Sequence, residues 1–157
     1  MRTLGGVQPP SVAWRGFCSL AGAWQLFGFS MFSVIEKSSG DWIGRMGPWQ
    51  PQDWPGTEVG WGIRRASWGR GYAPEAAVAA IDWAFDTLGW HEVIHTIAEN
   101  NDNSRAVARK LGSRAAGTTG VPCCIRAWHS LAHLPDCTQP AAGRIRWSRQ
   151  WWKSASR

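Results

Sequence analysis

Two glycines, Gly69 and Gly71, lie directly before a Pro-Glu-Ala-Ala run that predicts the first turn of a helix. The first amides of a helix have no acceptor within it and carry a partial positive charge, which suits phosphate oxygens. Glycine also removes the Cβ atoms that would hold a phosphate away from the backbone. An isolated G-x-G occurs in plain tight turns too, so the neighbouring elements must decide between a turn and a phosphate site.

The segment before this turn, residues 57–64, alternates in the manner of a half-buried strand. One face of that strand is apolar, and the other face begins with Glu58 and continues with Gly60 and Gly62. Glycine within a strand weakens it and marks the close approach of another chain or a ligand. The Glu58 carboxylate is therefore predicted to look into a cleft.

Hydrophobic periodicity predicts the remaining elements. After the turn we expect a helix with Pro74 at its first position and a stop at Gly89, then a strand over 92–99 and a short helix ending at Gly112. Upstream we expect a weak helix over residues 11–27 and a hairpin with strands through Phe32, Val34 and Ile35 and through Ile43 and Met46. The unit from 57 to 99 thus predicts a crossover between two parallel strands.

Charge divides the chain at about Gly112. The net charge is +6, yet residues 1–112 are balanced, whereas residues 113–157 hold seven Lys or Arg side chains and one acid, Asp136. This C-terminal tail also lacks a sustained apolar period. We therefore predict a folded domain over 1–112 and a basic, weakly patterned tail over 113–157, irregular from about residue 116.

No export signal or membrane-spanning stretch is evident in the sequence, which favours a cytoplasmic protein without a membrane partner. The four cysteines, at positions 18, 123, 124 and 137, lack the paired spacing of a zinc site and are expected to be free thiols. We accordingly expect no metal. Oligomeric state is not predicted.

Three segments in a fixed order, TEVGWGI, WGRGYAPEA and NNDNSRAVARKLG, resemble the GNAT superfamily of acyl-CoA-dependent N-acetyltransferases. The resemblance covers roughly residues 30–112 and is closest to the branch that contains the ribosomal-protein N-terminal acetyltransferases. It implies an α/β (α+β) fold, with a mixed, mostly antiparallel sheet flanked by helices and splayed central strands. It also implies transfer of an acetyl group from acetyl-CoA to a primary amine, either a protein N-terminus or a small molecule.

The resemblance implies where acetyl-CoA binds. Its pyrophosphate would lie on the backbone amides of the glycine turn, and its pantetheine arm would run between the strands at 57–64 and 92–99. The residues implied in cofactor binding are Val59, Gly60, Trp61, Trp68, Gly69, Arg70, Gly71, Tyr72, Ala73, Asn101 and Ser104. Ala66 stands where the family motif often has Gln or Arg.

Two residues are implied in catalysis. Glu58 matches the strand glutamate that accepts the amine proton in many relatives; the alternative is an exposed carboxylate paired with an arginine. Ser104 matches the branch's residue for protonating the leaving thiolate; the alternative is a helix cap, which its residue type favours. Asn101 is likewise either a pantetheine contact or a plain cap, and Tyr72 is expected to pack against the loop rather than donate a proton.

The chain departs from the family at both ends. We expect the family's first strand to be absent ahead of the predicted helix, and the tail from Ser113 shows little pattern for the two closing strands, which is what a truncated or frame-altered relative would show. A catalytically weak or inactive acyl-CoA-binding relative is therefore an alternative function. A less favoured alternative is nucleic-acid binding through the RIRWSRQWW segment of the tail, where Arg and Trp could contact phosphates and bases.

Overall fold

The computed structural model describes residues 7–116, 124–128 and 144–148, and for Ala116, residues 124–128, Trp147 and Ser148 only the backbone course. The chain divides into two compact units, Met1–Ser30 and Met31–Arg157. Predictions about Cys123, Cys137 and the last nine residues lie outside the described ranges. Of the helices within those ranges, none has the length and apolar character needed to cross a membrane.

The first unit contains one helix, α1, Pro10–Phe27. Pro10 is its first residue, where the missing N–H would have had no acceptor, and Gly28 ends it in the left-handed region at φ 74°. Within the helix, the rings of Trp14 and Phe17 stack with centroids 5.9 Å apart. The weak helix predicted over residues 11–27 is therefore confirmed.

In the residues that the structure describes, the second unit is a sheet with two α-helices and a short 3-10 helix, Arg65–Ser67. Its strands are β1 (Phe32–Glu36), β2 (Trp42–Trp49), β3 (Glu58–Ile63), β4 (Glu92–Thr96), β5 (Arg114–Ala116), β6 (Cys124–Trp128) and β7 (Ile145–Ser148), and its helices are α2 (Tyr72–Leu88) and α3 (Asp102–Lys110). The strand order is β5-β6-β4-β3-β2-β1-β7. All the neighbouring pairs are antiparallel except β3 with β4. The predicted mixed, mostly antiparallel sheet is confirmed, as is the hairpin formed by β1 and β2.

Helix α2 packs through a stripe of small residues. Its buried side chains include four alanines, Ala76, Ala77, Ala80 and Ala84, which join the core with apolar residues of β1 to β4. Alanine lets the helix axis lie close to the sheet without a loss of helix propensity. The helix therefore has a fixed position over the strands that flank the glycine turn.

The start of α2 differs from the prediction. The helix begins at Tyr72, directly after Gly71, so Pro74 is its third residue instead of its first. Gly71 lies in the left-handed region at φ 81° and serves as the N-cap. Pro74 is tolerated there because the amides of the first turn have no intrahelical acceptor in any case. The predicted stop at Gly89 is confirmed, since that residue is the left-handed C-cap.

Strands β3 and β4 are parallel, as the crossover predicted, but they are in register at one pair alone, Glu58 with Ile94. The Ile94 amide donates to the Thr57 carbonyl at 2.9 Å at that point. Beyond it no further pair joins the two strands in the described residues. The central strands are splayed, as the family resemblance implied.

The prediction that the tail is irregular from about residue 116 is wrong for the described residues 124–128 and 145–148, which form strands. β5 and β6 pair with each other, β6 pairs with β4, and β7 pairs with β1. A sheet edge offers backbone donors and acceptors whatever the hydrophobic period of the incoming segment, so weak patterning does not prevent pairing. The domain boundary at residue 112 stays a prediction.

Candidate functional site

The point where β3 and β4 separate brings two polar side chains onto backbone groups. In an uninterrupted parallel ladder, the next bond after Glu58 and Ile94 would join the Thr96 amide to the Val59 carbonyl. Here the Val59 carbonyl instead lies 2.8 Å from His95 Nδ1, and the Thr96 amide donates to Glu58 Oε1 at 3.2 Å. Each strand's unpaired backbone group is therefore satisfied by a side chain at the opening.

Glu58 is buried, with 7% of its surface exposed. Its second oxygen, Oε2, accepts a hydrogen bond from the indole Nε1 of Trp54. Burial raises the pKa of the Glu58 carboxyl above 4.5, against the opposing effect of the hydrogen bonds from Trp54 and Thr96. In the described part of the chain its partners are an indole and an amide, with no arginine, so the alternative of an exposed, arginine-paired carboxylate is wrong.

His95 is buried between the strands, and sequence reasoning had assigned it no role. Burial lowers its pKa from 6.5 to about 4, so the ring is neutral near pH 7. A carbonyl can only accept, which means that the proton resides on Nδ1 and is donated to Val59. A polar side chain aligned with the apolar face of a predicted strand was the available signal for this residue.

The apolar face of β3 carries Trp61 toward α3. The Trp61 indole Nε1 donates to Ser104 Oγ at 3.3 Å, and the Trp61 and His95 rings lie 4.7 Å apart between centroids. Asn101 is the N-cap of α3, since its side chain accepts from the Ser104 amide at 3.2 Å. Ser104 is the third residue of α3, so the alternative in which Ser104 itself caps the helix is wrong.

The glycine turn lies at the start of α2, with Gly69 at φ 74° and Gly71 at φ 81°. A Cβ added at Gly69 would meet no described heavy atom within 4 Å. The amides of Tyr72 and Ala73 are in the first turn of α2 and have no intrahelical acceptor. The amide of Trp68 donates to the Arg65 carbonyl at 3.1 Å, so the backbone amides available to a phosphate begin after Trp68.

Tyr72 is buried beside this turn and is engaged in a charged cluster. Its hydroxyl donates to Glu36 Oε1, and Arg70 forms an ion pair with the same carboxylate at 3.0 Å. The Tyr72 hydrogen bond is the main reason that the pKa of Glu36 is lowered, and it raises the pKa of Tyr72. The Tyr72 proton is thus directed at Glu36, in keeping with the expectation that Tyr72 is not the proton donor of the reaction.

A tail residue, Arg144, also reaches the turn. Its backbone N and side-chain Nε donate to the two oxygens of Glu75 at 3.0 and 3.2 Å, and its guanidinium lies 5.3 Å from the centroid of the Tyr72 ring. One terminal nitrogen lies 3.1 Å from the position of a Cβ on Gly71. The sequence could not place Arg144 here, because 68 residues or more separate it from the residues it contacts.

Across the described ranges, no three His, Cys, Asp or Glu side chains are grouped so that they could hold a metal ion. Cys18 is a free, exposed thiol.

Comparison with known proteins agrees with this geometry. A family model described as an acetyltransferase (GNAT) domain matches residues 1–114. The chain is 31% identical over 105 residues to YkkB of Bacillus subtilis, in a match that spans 66% of this chain and 58% of YkkB. It is 35% identical over 60 residues to YnaD, an N-acetyltransferase by name from the same organism, covering 38% of this chain and 35% of YnaD. The matched segments thus span 58% of YkkB and 35% of YnaD, less than two thirds of either relative.

Solved structures show the same fold. An acetyltransferase from Agrobacterium tumefaciens strain C58 superposes with a TM-score of 0.73 at 31% identity, covering 80% of this chain and 75% of that one. RimJ of Mycobacterium smegmatis, solved in complex with CoA-disulfide, superposes at 0.56 with 21% identity over 94% of this chain and 78% of RimJ. A protein from Vibrio cholerae that is named a ribosomal-protein-serine acetyltransferase superposes with a TM-score of 0.62 at 18% identity. The superposition covers 74% of this chain and 73% of that one.

The depressed pKa of His95 predicts how stability depends on pH. The folded protein binds this proton less readily than the unfolded chain, so the stability contributed by neutral His95 is present above pH 6.5 and is lost as the pH falls toward about 4. Between pH 7 and pH 5 the loss from this group is about 2 kcal/mol. Urea unfolding at the two pH values, for the parent and for His95→Asn, measures it as the difference between the two proteins. Equal pH dependence in both would show that His95 is readily charged in the folded state.

Proposed function

This chain belongs to the GNAT acetyltransferase family, and we propose that it transfers an acetyl group from acetyl-CoA to a primary amine. The observation that carries the proposal is the junction of β3 and β4, where parallel strands separate after one pair beside a glycine turn. RimJ of Mycobacterium smegmatis, which shares the fold, was solved with CoA-disulfide. A thioester arm lying between the strands would have its diphosphate at the turn.

The turn supplies what a diphosphate requires. The unpaired amides at the start of α2 point outward along the helix axis, and the glycines leave the backbone accessible. Arg144 adds a cation close to Gly71, oriented through its Nε by Glu75. This guanidinium could supply the side-chain contact for which the chain has Ala66 in place of Gln or Arg.

Proton transfer would use the two faces of β3. Side chains an odd number of residues apart in a strand point to opposite faces, which separates Glu58 from Trp61 and from the Ser104 hydroxyl that Trp61 contacts. The amine nitrogen attacks the thioester carbonyl, and its proton passes to the Glu58 carboxylate, directly or through water. The carbon–sulfur bond then breaks, and the thiolate takes a proton through the Ser104 hydroxyl, which is reprotonated from water while Glu58 releases its proton to solvent. The amine would thus lose its proton on one face of β3, and the thiolate would gain a proton on the other.

The first prediction concerns binding. Acetyl-CoA at about a hundred times its Kd should raise the melting temperature by roughly 5 °C or more, through mass action on the folded state. Gly69→Ala should abolish this rise, because the methyl group enters the space predicted for the diphosphate. Gly89→Ala is the matched control, since Gly89 has a similar φ of 66°, also has no atom within 4 Å of an added Cβ, and lies at the other end of α2. Equal ligand shifts in the two variants would identify the turn as purely structural.

The second prediction concerns Arg144. Arg144→Ala should weaken CoA binding about tenfold, as expected for loss of a hydrogen bond to a charged group. Arg146→Ala is its control, because Arg146 is exposed on β7 and pairs with Ile35. Isothermal titration with CoA and with acetyl-pantetheine, which lacks the diphosphate, separates the two ends of the ligand. A weakened affinity for acetyl-pantetheine in Arg144→Ala would contradict a contact with the diphosphate.

The third prediction concerns Glu58. Glu58→Gln should keep acetyl-CoA binding and lower the transfer rate by roughly a hundredfold, the lower end of the contribution of a general base. The parental rate should fall on the acid side as the carboxyl, whose pKa lies above 4.5, becomes protonated, and this limb should be missing in the variant. The variant should recover partly at high pH, where more of the amine is already neutral.

Release of CoA thiol with a panel of peptide N-termini, polyamines and antibiotic amines provides the assay and identifies the acceptor. A parental rate in Glu58→Gln across the pH range would exclude Glu58 as the base. Binding of acetyl-CoA without turnover on any amine would favour the alternative of an inactive acyl-CoA-binding relative.

A further inference from the structure

His95 links the opening between the strands to α3. Its Nδ1 is fixed on the Val59 carbonyl at 2.8 Å, and its ring lies 4.7 Å from the Trp61 indole at an interplanar angle of 56°. The same indole donates to Ser104 Oγ at 3.3 Å. A continuous series of contacts therefore runs from the backbone of β3, through two rings, to the hydroxyl on α3.

This arrangement is costly for stability. His95 has 1% of its surface exposed, and its Nε2 is buried without a hydrogen-bond partner among the residues the structure describes. With the proton on Nδ1, Nε2 carries an acceptor lone pair, and a buried acceptor without a partner destabilises the folded state. An apolar side chain would remove this unsatisfied acceptor but would leave the Val59 carbonyl without a donor, so the Nδ1 bond is one reason for a histidine here.

We propose that His95 is a positioning residue that holds the Trp61 indole against Ser104, so that the Ser104 hydroxyl is fixed for protonation of the leaving thiolate. The inference rests on the proposed function for its catalytic consequence. The imidazole supplies two things at once: a donor that keeps it on the Val59 carbonyl, and a ring that contacts the indole at a tilt of 56°.

The backbone of Ser104 is fixed independently of His95. Asn101 holds the Ser104 amide at 3.2 Å, which sets the position of the first turn of α3. The Ser104 side chain can still rotate about χ1, and the hydrogen bond that Oγ accepts from Trp61 favours one rotamer. Because Oγ is the acceptor in this bond, its own hydrogen stays available to another group. Loss of the supporting ring should therefore disturb the hydroxyl while leaving α3 in place.

The substitution His95→Asn separates the two contributions of the imidazole. The introduced side-chain amide can still donate to the Val59 carbonyl, but it offers no ring to Trp61. His95→Asn should lower kcat roughly tenfold or more, because a modest displacement of a catalytic group is costly in rate, and should change the KM for acetyl-CoA little. Trp61→Phe, which keeps an aromatic ring and removes the N–H donor, should have a similar effect. His91→Asn, a substitution at an exposed histidine before β4, is the control and should keep the parental kcat.

A double-mutant cycle with Ser104→Ala tests whether His95 acts through Ser104. His95→Asn should lower kcat in the parent and have no further effect in the Ser104→Ala background. Equal loss in both backgrounds, an unchanged kcat in His95→Asn, or a parental kcat in Ser104→Ala would each overturn the proposal.

The indole proton of Trp61 gives a readout that does not require turnover. In a ¹H–¹⁵N spectrum, the Trp61 Nε1 signal, assigned by its loss in Trp61→Phe, should shift in both His95→Asn and Ser104→Ala. An unshifted signal in His95→Asn would refute the link between the rings. If no amine is acetylated by the parent, the proposed function fails, and this spectrum still decides whether His95 positions Trp61.

Discussion

The divergence of β3 and β4 is the constraint on which the rest of the site depends. Two buried strands can separate only if the backbone groups that they would have exchanged find other partners, since each unsatisfied group costs about 1–3 kcal/mol. The protein meets this requirement with one side chain from each face: His95 donates to the Val59 carbonyl, and Glu58 accepts from the Thr96 amide. The opening is therefore held by hydrogen bonds from His95 and Glu58. Glu58 is also the proposed base.

Burial at this junction favours the neutral forms of both Glu58 and His95. It raises the pKa of Glu58 and lowers that of His95. The consequences differ, because a carboxyl of raised pKa is better suited to accept and release a proton near neutral pH, whereas a histidine of lowered pKa becomes a fixed donor. One desolvated region thus contains a candidate base on one face of β3 and a neutral support for Trp61 and Ser104 on the other.

At the other end of the site, the tail completes the surroundings of the glycine turn. β7 pairs with β1, and this pairing places Arg144 beside Gly71, with Glu75 as its partner. The turn is consequently surrounded by two ion pairs, Arg70 with Glu36 and Arg144 with Glu75, that share the Tyr72 ring. The described residues after 113 contribute β5, β6 and β7 to the same sheet.

The sequence by itself determined the central elements, the family and the positions of Glu58, Ser104 and the glycine turn, because period, glycine spacing and capping are local properties. The predicted start of α2 was misplaced by two residues, since Tyr72 and not Pro74 is the first residue of the helix. Only the tertiary structure decided that His95 contacts the Val59 carbonyl, that the tail forms strands, and that Arg144 lies beside the glycine turn. Each of these contacts depends on backbone groups or charges that are distant in sequence. A segment pairs with a sheet edge whose backbone groups are unpaired, and a histidine is buried where a backbone carbonyl lacks a strand partner. Neither feature can be read from the hydrophobic pattern of the segment itself.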